Sequence, residues 1–460
     1  MRKVRQLILR TMANLLFAHQ QLLHHRFLDS DLGQLYVAIP FDQLAAKIPA
    51  PRHSLSGKGC KPWFDLKGAI GLLILKHYTG LSDEMLIERI NYDWSMQMFC
   101  GIQLKVHEKI KDTNLPSTWR GYIGRRLNIA KLQKQLAIHW KPYMAHTTFS
   151  LQDATCYESR IAHPTDIKLL WQCCNEIYLQ LSALRKTAKL RRTRINYAKH
   201  KLNVLSYQKS KKKTKRQERK LRKQLLRFLT GLIEQVKTLQ QKYSLSLSGR
   251  YQRRLKTILK IYQQQHHKAY GPVSEPIKNR IVSLSKPYVR PIVRGKETKA
   301  VEFGAKVNKL QIDGISFIEH FSYEAFNEGT RYQSGIHLQR VLFGKCTHHS
   351  ADAIYATNAN RKYATANNIV TNFVPKGRQK QQDIQAAKIM RAILNKERGT
   401  KLEGSFGNDK NHYLLQKVNA RNEHTEKCWI FFGMLTANAS SISQRILKSK
   451  TQQVNQSRAA

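Results

Sequence analysis

A chain of 460 residues with 41% apolar side chains can bury a core in each of roughly two to four domains, which excludes wholesale disorder. Eighty Lys and Arg against thirty Asp and Glu leave a formal charge of +50. Such an excess repels itself in the folded state, so it points to a polyanionic partner; nucleic acid fits best, with RNA or an anionic membrane surface as competitors. No run of about eighteen apolar residues is present, so no membrane span is expected. Seven cysteines, an odd number with no C-x-x-C pair, read as reduced structural thiols of a cytoplasmic protein rather than a zinc site or a disulfide framework.

Residues 1–50 read as a basic helical segment that ends in a loop between Pro40 and Pro51. Its first 28 residues hold no acid and carry Arg2, Lys3, Arg5 and Arg10, faintly like a transit peptide. Polar interruptions at Gln6, Asn14, His19, Gln20 and Gln21 favour a retained helix instead. The connector 51–62 (PRHSLSGKGCKP) is basic and punctuated by Gly and Pro. Residues 63–104 form a compact helical unit in which Leu66, Ile70, Leu73 and Ile74, then Leu86 and Ile90, recur at helical spacing. Gly80 to Asp83 supplies a turn with Ser82 as N-cap, a pattern shared by helix–turn–helix DNA readers and by any small helical pair.

At 147–156 (TTFSLQDATC), Phe149, Leu151, Asp153 and Thr155 alternate with Ser150, Gln152 and Ala154, as in a strand that bears a carboxylate. Residues 166–178 return to helical spacing. From Arg185 to Arg227 there are nineteen Lys or Arg and one acid, Glu218. Leu225, Leu229, Leu232, Val236 and Leu239 then follow the 4-3-4-3 spacing of a helical hairpin seam. A basic helical arm lying across DNA is the functional reading of this segment, and a solvated linker is its alternative. Strand-like segments resume at 288–320. A helix is expected at 328–343, a short strand ending near Asp352, a helix near 358–368 and a strand at 369–374. Helices at 380–396 and 403–446 close the chain. Strands first interrupted and then followed by helices imply an α/β core with a helical insertion, behind an all-α N-terminal domain.

Phosphodiester cleavage and transfer need an in-line oxygen nucleophile and a stabilised leaving oxygen. Two divalent metals roughly 3.5–4 Å apart can serve both, held by converging carboxylates. Several blocks resemble the bacterial insertion-sequence DDE transposases. Asp153-Ala154-Thr155-Cys156-Tyr157-Glu158-Ser159, followed by His163-Pro164-Thr165-Asp166 and Leu169-Leu170-Trp171, is similar to the first catalytic block of that family. Arg290 to Lys296 and Glu302 to Lys306 resemble its middle strands, and Asn327-Glu328-Gly329 its next block. Ala351-Asp352-Ala353-Ile354-Tyr355 with Asn360-Arg361 resembles the second catalytic block. Leu402-Glu403-Gly404-Ser405-Phe406-Gly407 through Lys410 and Tyr413 resembles the third. Upstream, Leu75 to Asp83 (LKHYTGLSD) resembles the InsH-type N-terminal domain of these transposases.

The resemblance implies an RNase H-like mixed-sheet core interrupted by a long basic helical insertion. Asp153 would lie on its first strand, Asp352 after the fourth and Glu403 on a following helix, as the catalytic and metal-binding carboxylates for Mg²⁺, with Mn²⁺ as a substitute. The implied segments are 1–50; an InsH-type domain at 51–146, expected to bind DNA; 147–180 and 276–446 as the two parts of the catalytic domain; 181–275 as the insertion; and 447–460 as a tail. Lys410, seven residues after Glu403 and on nearly the same helical face, would grip a phosphate. The family often has Tyr and Arg just before its glutamate. Here Arg398 stands five residues upstream rather than four, without the Tyr, and is grouped with Lys410 and with Lys211, Lys212, Lys213, Lys215 and Arg216 of the arm as a DNA contact.

The implied partners are DNA, as terminal inverted repeats and target, and a second copy of the chain in a homodimer working at the nucleoid. Glu397 is the near competitor for the third carboxylate. Glu158 and Asp166 either assist Asp153 or serve surface or capping roles. His163 reads as a hydrogen-bonding residue. His348 and His349 lack the partners of a zinc site, and Phe303, Phe317, Trp171 and Tyr355 read as core. A nuclease or resolvase with the same carboxylates, and a catalytically silent DNA-binding protein, are the alternative functions.

Overall fold

The computed structural model describes residues 21–51, 62–191, 195–272, 275, 277–293, 300–377 and 381–459. The basic segment before residue 21, the connector at 52–61 and the Arg294 to Lys296 stretch of the middle-strand block lie outside the described residues. Two compact units are present. The first comprises 1–158, 306–322 and 326–460, and the second 159–305 and 323–325.

The first unit begins with helices α1 (Asp31–Val37), α2 (Phe41–Ala45), α3 (Leu66–Thr79), α4 (Asp83–Tyr92), α5 (Trp94–Phe99), α6 (Leu115–Arg126) and α7 (Ile129–Trp140). Asp65 caps α3 by accepting the Gly68 N–H at 2.7 Å, and Gly80 at φ 70° closes it in the left-handed region that glycine favours. Residues 68–77 of α3 are all buried, so this helix is enclosed on every side. Even Lys76 and the neutral His77 are buried. Lys76 pairs with Asp83 at 3.2 Å, beside Arg120 of α6, which reaches the same carboxylate at 3.1 Å. His77 Nδ1 lies 2.9 Å from the Tyr413 carbonyl. Ser82 caps α4 through the Met85 N–H at 3.1 Å. Of the helical pair read from the sequence, α3 therefore has no open face, and the exposed side of α4 carries Glu84 and Glu88 beside Met85 and Arg89. Two acids on that face oppose close approach to phosphate.

Strand β1 (Phe149–Ser159) enters the sheet. The second unit then supplies α8 (Asp166–Thr187), α9 (Tyr197–Lys209), α10 (Lys215–Lys242) and α11 (Gly249–Tyr270). A capping box between Thr214 and Gln217 starts α10. The heptad leucines and Val236 are all buried, packed with Leu170, Cys173, Cys174, Ile177 and Leu181 of α8. The charges lie on the outer side: Lys211, Lys212, Lys213, Lys215 and Arg216 are exposed, in the α9–α10 loop and the first turn of α10. Asp166, read as a surface, capping or assisting residue, is instead buried in an ion cluster. Lys268, Arg222 (3.2 Å) and Arg280 (2.9 Å) converge on it, and Gln265 donates to it at 3.0 Å.

The unit also holds β2 (Pro291–Val293), antiparallel to the opening of β3 (Val301–Ile312). Then follow β4 (Ile315–Ser322), α12 (Tyr332–Phe343), β5 (His348–Ala351), α13 (Asn358–Ala366), β6 (Val370–Thr371) and α14 (Gln381–Glu397). A π-helical turn (Arg398–Leu402), α15 (Glu403–His412), β7 (Lys417–Val418) and α16 (Glu423–Ala459) complete the chain. Among the described residues the sheet runs β4–β3–β1–β5–β6, with β7 also on β1. β3 and β4 are antiparallel, while β1–β5 and β5–β6 are parallel, so the sheet is mixed and the fold α/β. Asp313 and Gly314, both at positive φ (47° and 79°), make the tight turn between β3 and β4.

The even-numbered face of β1 lies under α12. A Cβ on Gly335 would stand 2.3 Å from the Gln152 side chain, so only glycine admits that approach. The reading of one helix over 403–446 and a tail beyond it differs from the structure. Leu414 at φ 60° and β7 end the first helix, a reciprocal Asn422–Thr425 cap starts the second, and α16 continues through the residues read as a tail.

Candidate active site

The odd-numbered face of β1 carries Asp153, and strand pairing decides what lies next to it. β1 and β5 run parallel with Gln152 beside Ala351 as their last registered pair. The following residue on each strand is Asp153 and Asp352, so pairing alone makes the two carboxylates neighbours. Asp352 directly follows β5 and caps the short turn after it, its Oδ1 accepting the Ala353 N–H at 2.7 Å. Asp153 is the enclosed partner, with a side chain 17% exposed against 50% for Asp352. Burial pushes the Asp153 carboxyl up to about 6; Glu328 and Asp352 add to the rise, while the Ala154 N–H and Arg398 oppose it.

Glu403 reaches this place from the first turn of α15. Between it and Asp153 stands Arg398, whose Nη1 donates to Asp153 Oδ2 at 3.2 Å. The same guanidinium lies 3.6 Å from Glu403 and 3.8 Å from Asp352. One side chain thus touches all three carboxylates singled out in the sequence. The five-residue interval makes this possible only because the backbone departs from α geometry. In an α-helix, residues five apart point about 140° away from each other. Here Arg398–Leu402 form a π turn in which the Glu403 N–H bonds to the Arg398 carbonyl, stacking the two residues on one side.

Further carboxylates surround the site. Tyr355, fully buried, donates to Asn308 at 2.7 Å, and Asn308 in turn donates to Glu319 at 2.7 Å. Burial raises the Tyr355 phenol far above its ordinary range, and Glu328, Asp153, Glu319 and Asp352 raise it further. Lys306 pairs with Glu328 at 2.7 Å, and Arg331 with Glu319. These five carboxylates face three cations (Arg398, Lys306 and Arg331), a local excess of two negative charges in a chain of +50. Among the described residues, no three His, Cys, Asp or Glu side chains already converge on a common point that could hold a metal. The gathering group is the guanidinium.

Helix α15 is anchored by a buried charge. Lys309 of β3, with 0% side-chain exposure, pairs with Asp409 at 2.6 Å and donates to Ser405 at 2.9 Å. Tyr157, four residues beyond Asp153 and on the same face of β1, donates to the same Asp409 oxygen at 2.7 Å. Burial lowers the Lys309 pKa while Asp409 opposes the fall. Lys410 sits half-buried on α15 beside this anchor. Glu397, the competing acid, pairs with Lys401 and lines a cleft with Thr148 and Phe149 at the start of β1, away from the Arg398 contacts.

His349 is fully buried and bonded to Ser150 (2.7 Å) and Gln152 (2.9 Å), and burial holds it near pKa 3, hence neutral. His163 lies edge-on to Phe303, within the second unit. Sequence reasoning missed Lys309, Asp409 and Glu319. The available signal was a lone lysine in the otherwise strand-like VNKLQI, a buried cation in need of an acid.

Residues 20–121 match the family described as "Transposase domain (DUF772)". A 103-residue stretch is 32% identical to "Uncharacterized protein ORF8 in nfe locus" of Rhizobium meliloti, covering 22% of this chain and 50% of that protein. The chain thus spans about half the length of the curated relative it matches. No solved structure matches. Among the described residues, no helix is long and apolar enough to cross a membrane.

Proposed function

We propose that this chain, an insertion-sequence transposase-type protein by its N-terminal family match, is a DDE transposase that cuts DNA at the ends of its element and joins the freed 3′-OH to target DNA. The observation that carries the reading is one guanidinium in contact with Asp153 within β1, Asp352 just past the end of the adjacent parallel strand β5, and Glu403 on a following helix. A mixed sheet in which Asp153 of β1 lies beside the parallel strand β5 that leads to Asp352 supports an RNase H-like reading of the core.

The donor set fits Mg²⁺: hard carboxylate oxygens, a local excess of negative charge, and a cation already drawn to the same place. Asp153 and Asp352 would share the metal ions, and Glu403 would complete the second position. When bound, Mg²⁺ supplies Lewis-acid stabilisation of the attacking and leaving oxygens. The chain's own residues do the rest. β1 and β5 hold two carboxylates side by side. The Lys309–Asp409–Tyr157 anchor fixes the helix that presents the third. Lys410 and the exposed lysines of the arm bind phosphate. Water attacks phosphorus at the element end and breaks its P–O3′ bond to free a 3′-OH; that hydroxyl then attacks a target phosphodiester and displaces the target strand's own 3′-oxygen. The family resemblance implies that two ends are cut in concert by a homodimer on DNA.

A strand-transfer assay with pre-cut ends tests the joining step. With Mg²⁺, labelled end DNA bearing a 3′-OH is expected to become covalently attached to a target plasmid. Hydrolysis without joined product would instead make the chain a nuclease or resolvase with the same carboxylates.

A further inference from the structure

We infer that Arg398 is a resident counter-cation: it keeps Asp153, Asp352 and Glu403 gathered in the metal-free protein and is displaced when a divalent cation enters. The inference rests on the metal-binding reading of the three carboxylates and assigns Arg398 a role other than holding DNA.

The geometry is that of a weakly held plug. Only the contact to Asp153, at 3.2 Å, is a hydrogen bond. Those to Glu403 and Asp352, at 3.6 and 3.8 Å, are ionic contacts to side chains 58% and 50% exposed. Solvent-screened pairs of this kind are weak. The remaining guanidinium nitrogen, Nε, is buried without a hydrogen-bond partner, so two nitrogens carry the whole interaction. One positive charge set among three negative ones leaves the site under-neutralised, and a divalent ion at the same place binds more strongly than the guanidinium does.

The π turn supplies the means of exchange. Its i→i+5 bond from Glu403 to the Arg398 carbonyl is what stacks Arg398 on Glu403. Reverting that turn to α geometry swings the two side chains about 140° apart without unfolding either flanking helix. Gly399, within the turn, has open space where a Cβ would stand, so no side chain packs against that position of the turn. The extra residue between Arg398 and Glu403 therefore leaves the arginine able both to occupy the carboxylate site and to leave it.

Mn²⁺ binding to the purified full-length chain without DNA, read by electron paramagnetic resonance, tests this independently of activity. Wild type, Arg398→Gln and Arg398→Lys are compared, with the triple variant Asp153→Asn/Asp352→Asn/Glu403→Gln setting the background. Arg398→Gln is expected to bind Mn²⁺ roughly three- to ten-fold more tightly than wild type, since a competing cation is gone. It is also expected to melt at a lower temperature without metal, with the deficit closing as Mn²⁺ is added. Arg398→Lys, which keeps the charge, should stay near wild type. Equal or weaker Mn²⁺ binding by Arg398→Gln, above the background, overturns the exchange and leaves the metal site standing. Binding at background level in wild type and Arg398→Gln alike overturns the metal reading, and the exchange with it.

Discussion

Asp166 shows how one residue sets the shape of a charged segment. It is the acid on which Arg222, Lys268 and Arg280 converge, in a unit where acids are scarce. Burial alone would raise its pKa, but hydrogen bonds from Lys268 and Gln265 and the charges of Lys268 and Arg280 outweigh that and hold it at about 2. A carboxylate with a depressed folded-state pKa stabilises the fold fully above its unfolded value near 4. That stabilisation is lost as pH falls through the folded value. The contribution is about 2 kcal/mol. Asp166→Asn should therefore melt well below wild type at pH 7, and the gap should narrow between pH 4 and pH 2. A gap that does not change with pH would mean the cluster owes its stability to packing rather than ionisation. The sequence showed Asp166 only as a residue near a helix start. Its partners lie 56, 102 and 114 residues away, a distance that local pattern cannot bridge.

Helix α15 matters because it presents Glu403, and its attachment is electrostatic. Removing one member of a buried pair strands the other charge, at a cost of about 3–5 kcal/mol, whereas replacing both with apolar groups is often nearly neutral. Asp409→Asn should thus lower the melting temperature and the cleavage rate together, while Lys309→Met/Asp409→Leu should recover most of the stability. If the double variant also regains full cleavage, the pair only holds the helix in the fold. Cleavage that stays low in a stable double variant marks the pair as the group that positions Glu403.

Elements with strong local signals were legible at this scale. The alternation around Asp153, the Ser82 cap and the leucine seam of α10 each report a periodicity or cap that the residues alone impose. The break at 413–422 was not, because Leu414 takes a positive φ with no glycine to announce it. The Asn422–Thr425 reciprocal cap was the overlooked sign of a new helix start. The π turn was written only as an odd spacing, five residues from Arg398 to Glu403.

For the whole molecule, the +50 charge is concentrated where it can meet a polyanion, above all on the outer side of the helical arm. Deleting 185–227 would also remove the buried Leu221, Leu225 and Leu226, so neutralising exposed residues is the cleaner test. Replacing Lys211, Lys212, Lys213, Lys215 and Arg216 by Gln should flatten the fall of log affinity with log salt by about 0.9 for each phosphate left without its cation. An unchanged slope would make this stretch a solvated linker. The charge and the mixed α/β character could be anticipated from the sequence. The burial of α3 could not, since ten consecutive buried residues, with the Lys76 cation among them, follow from the packing of α6 and α16 around it.

The most direct test of the central assignment uses the purified chain, Mg²⁺ and labelled DNA carrying the sequences that flank its gene. We expect nicking at the end junction that needs the metal and is lost in Asp153→Ala, Asp352→Ala and Glu403→Ala, but kept in Glu397→Ala. Tight end binding with no cleavage in either Mg²⁺ or Mn²⁺, or cleavage that survives loss of any one of the three carboxylates, would contradict it.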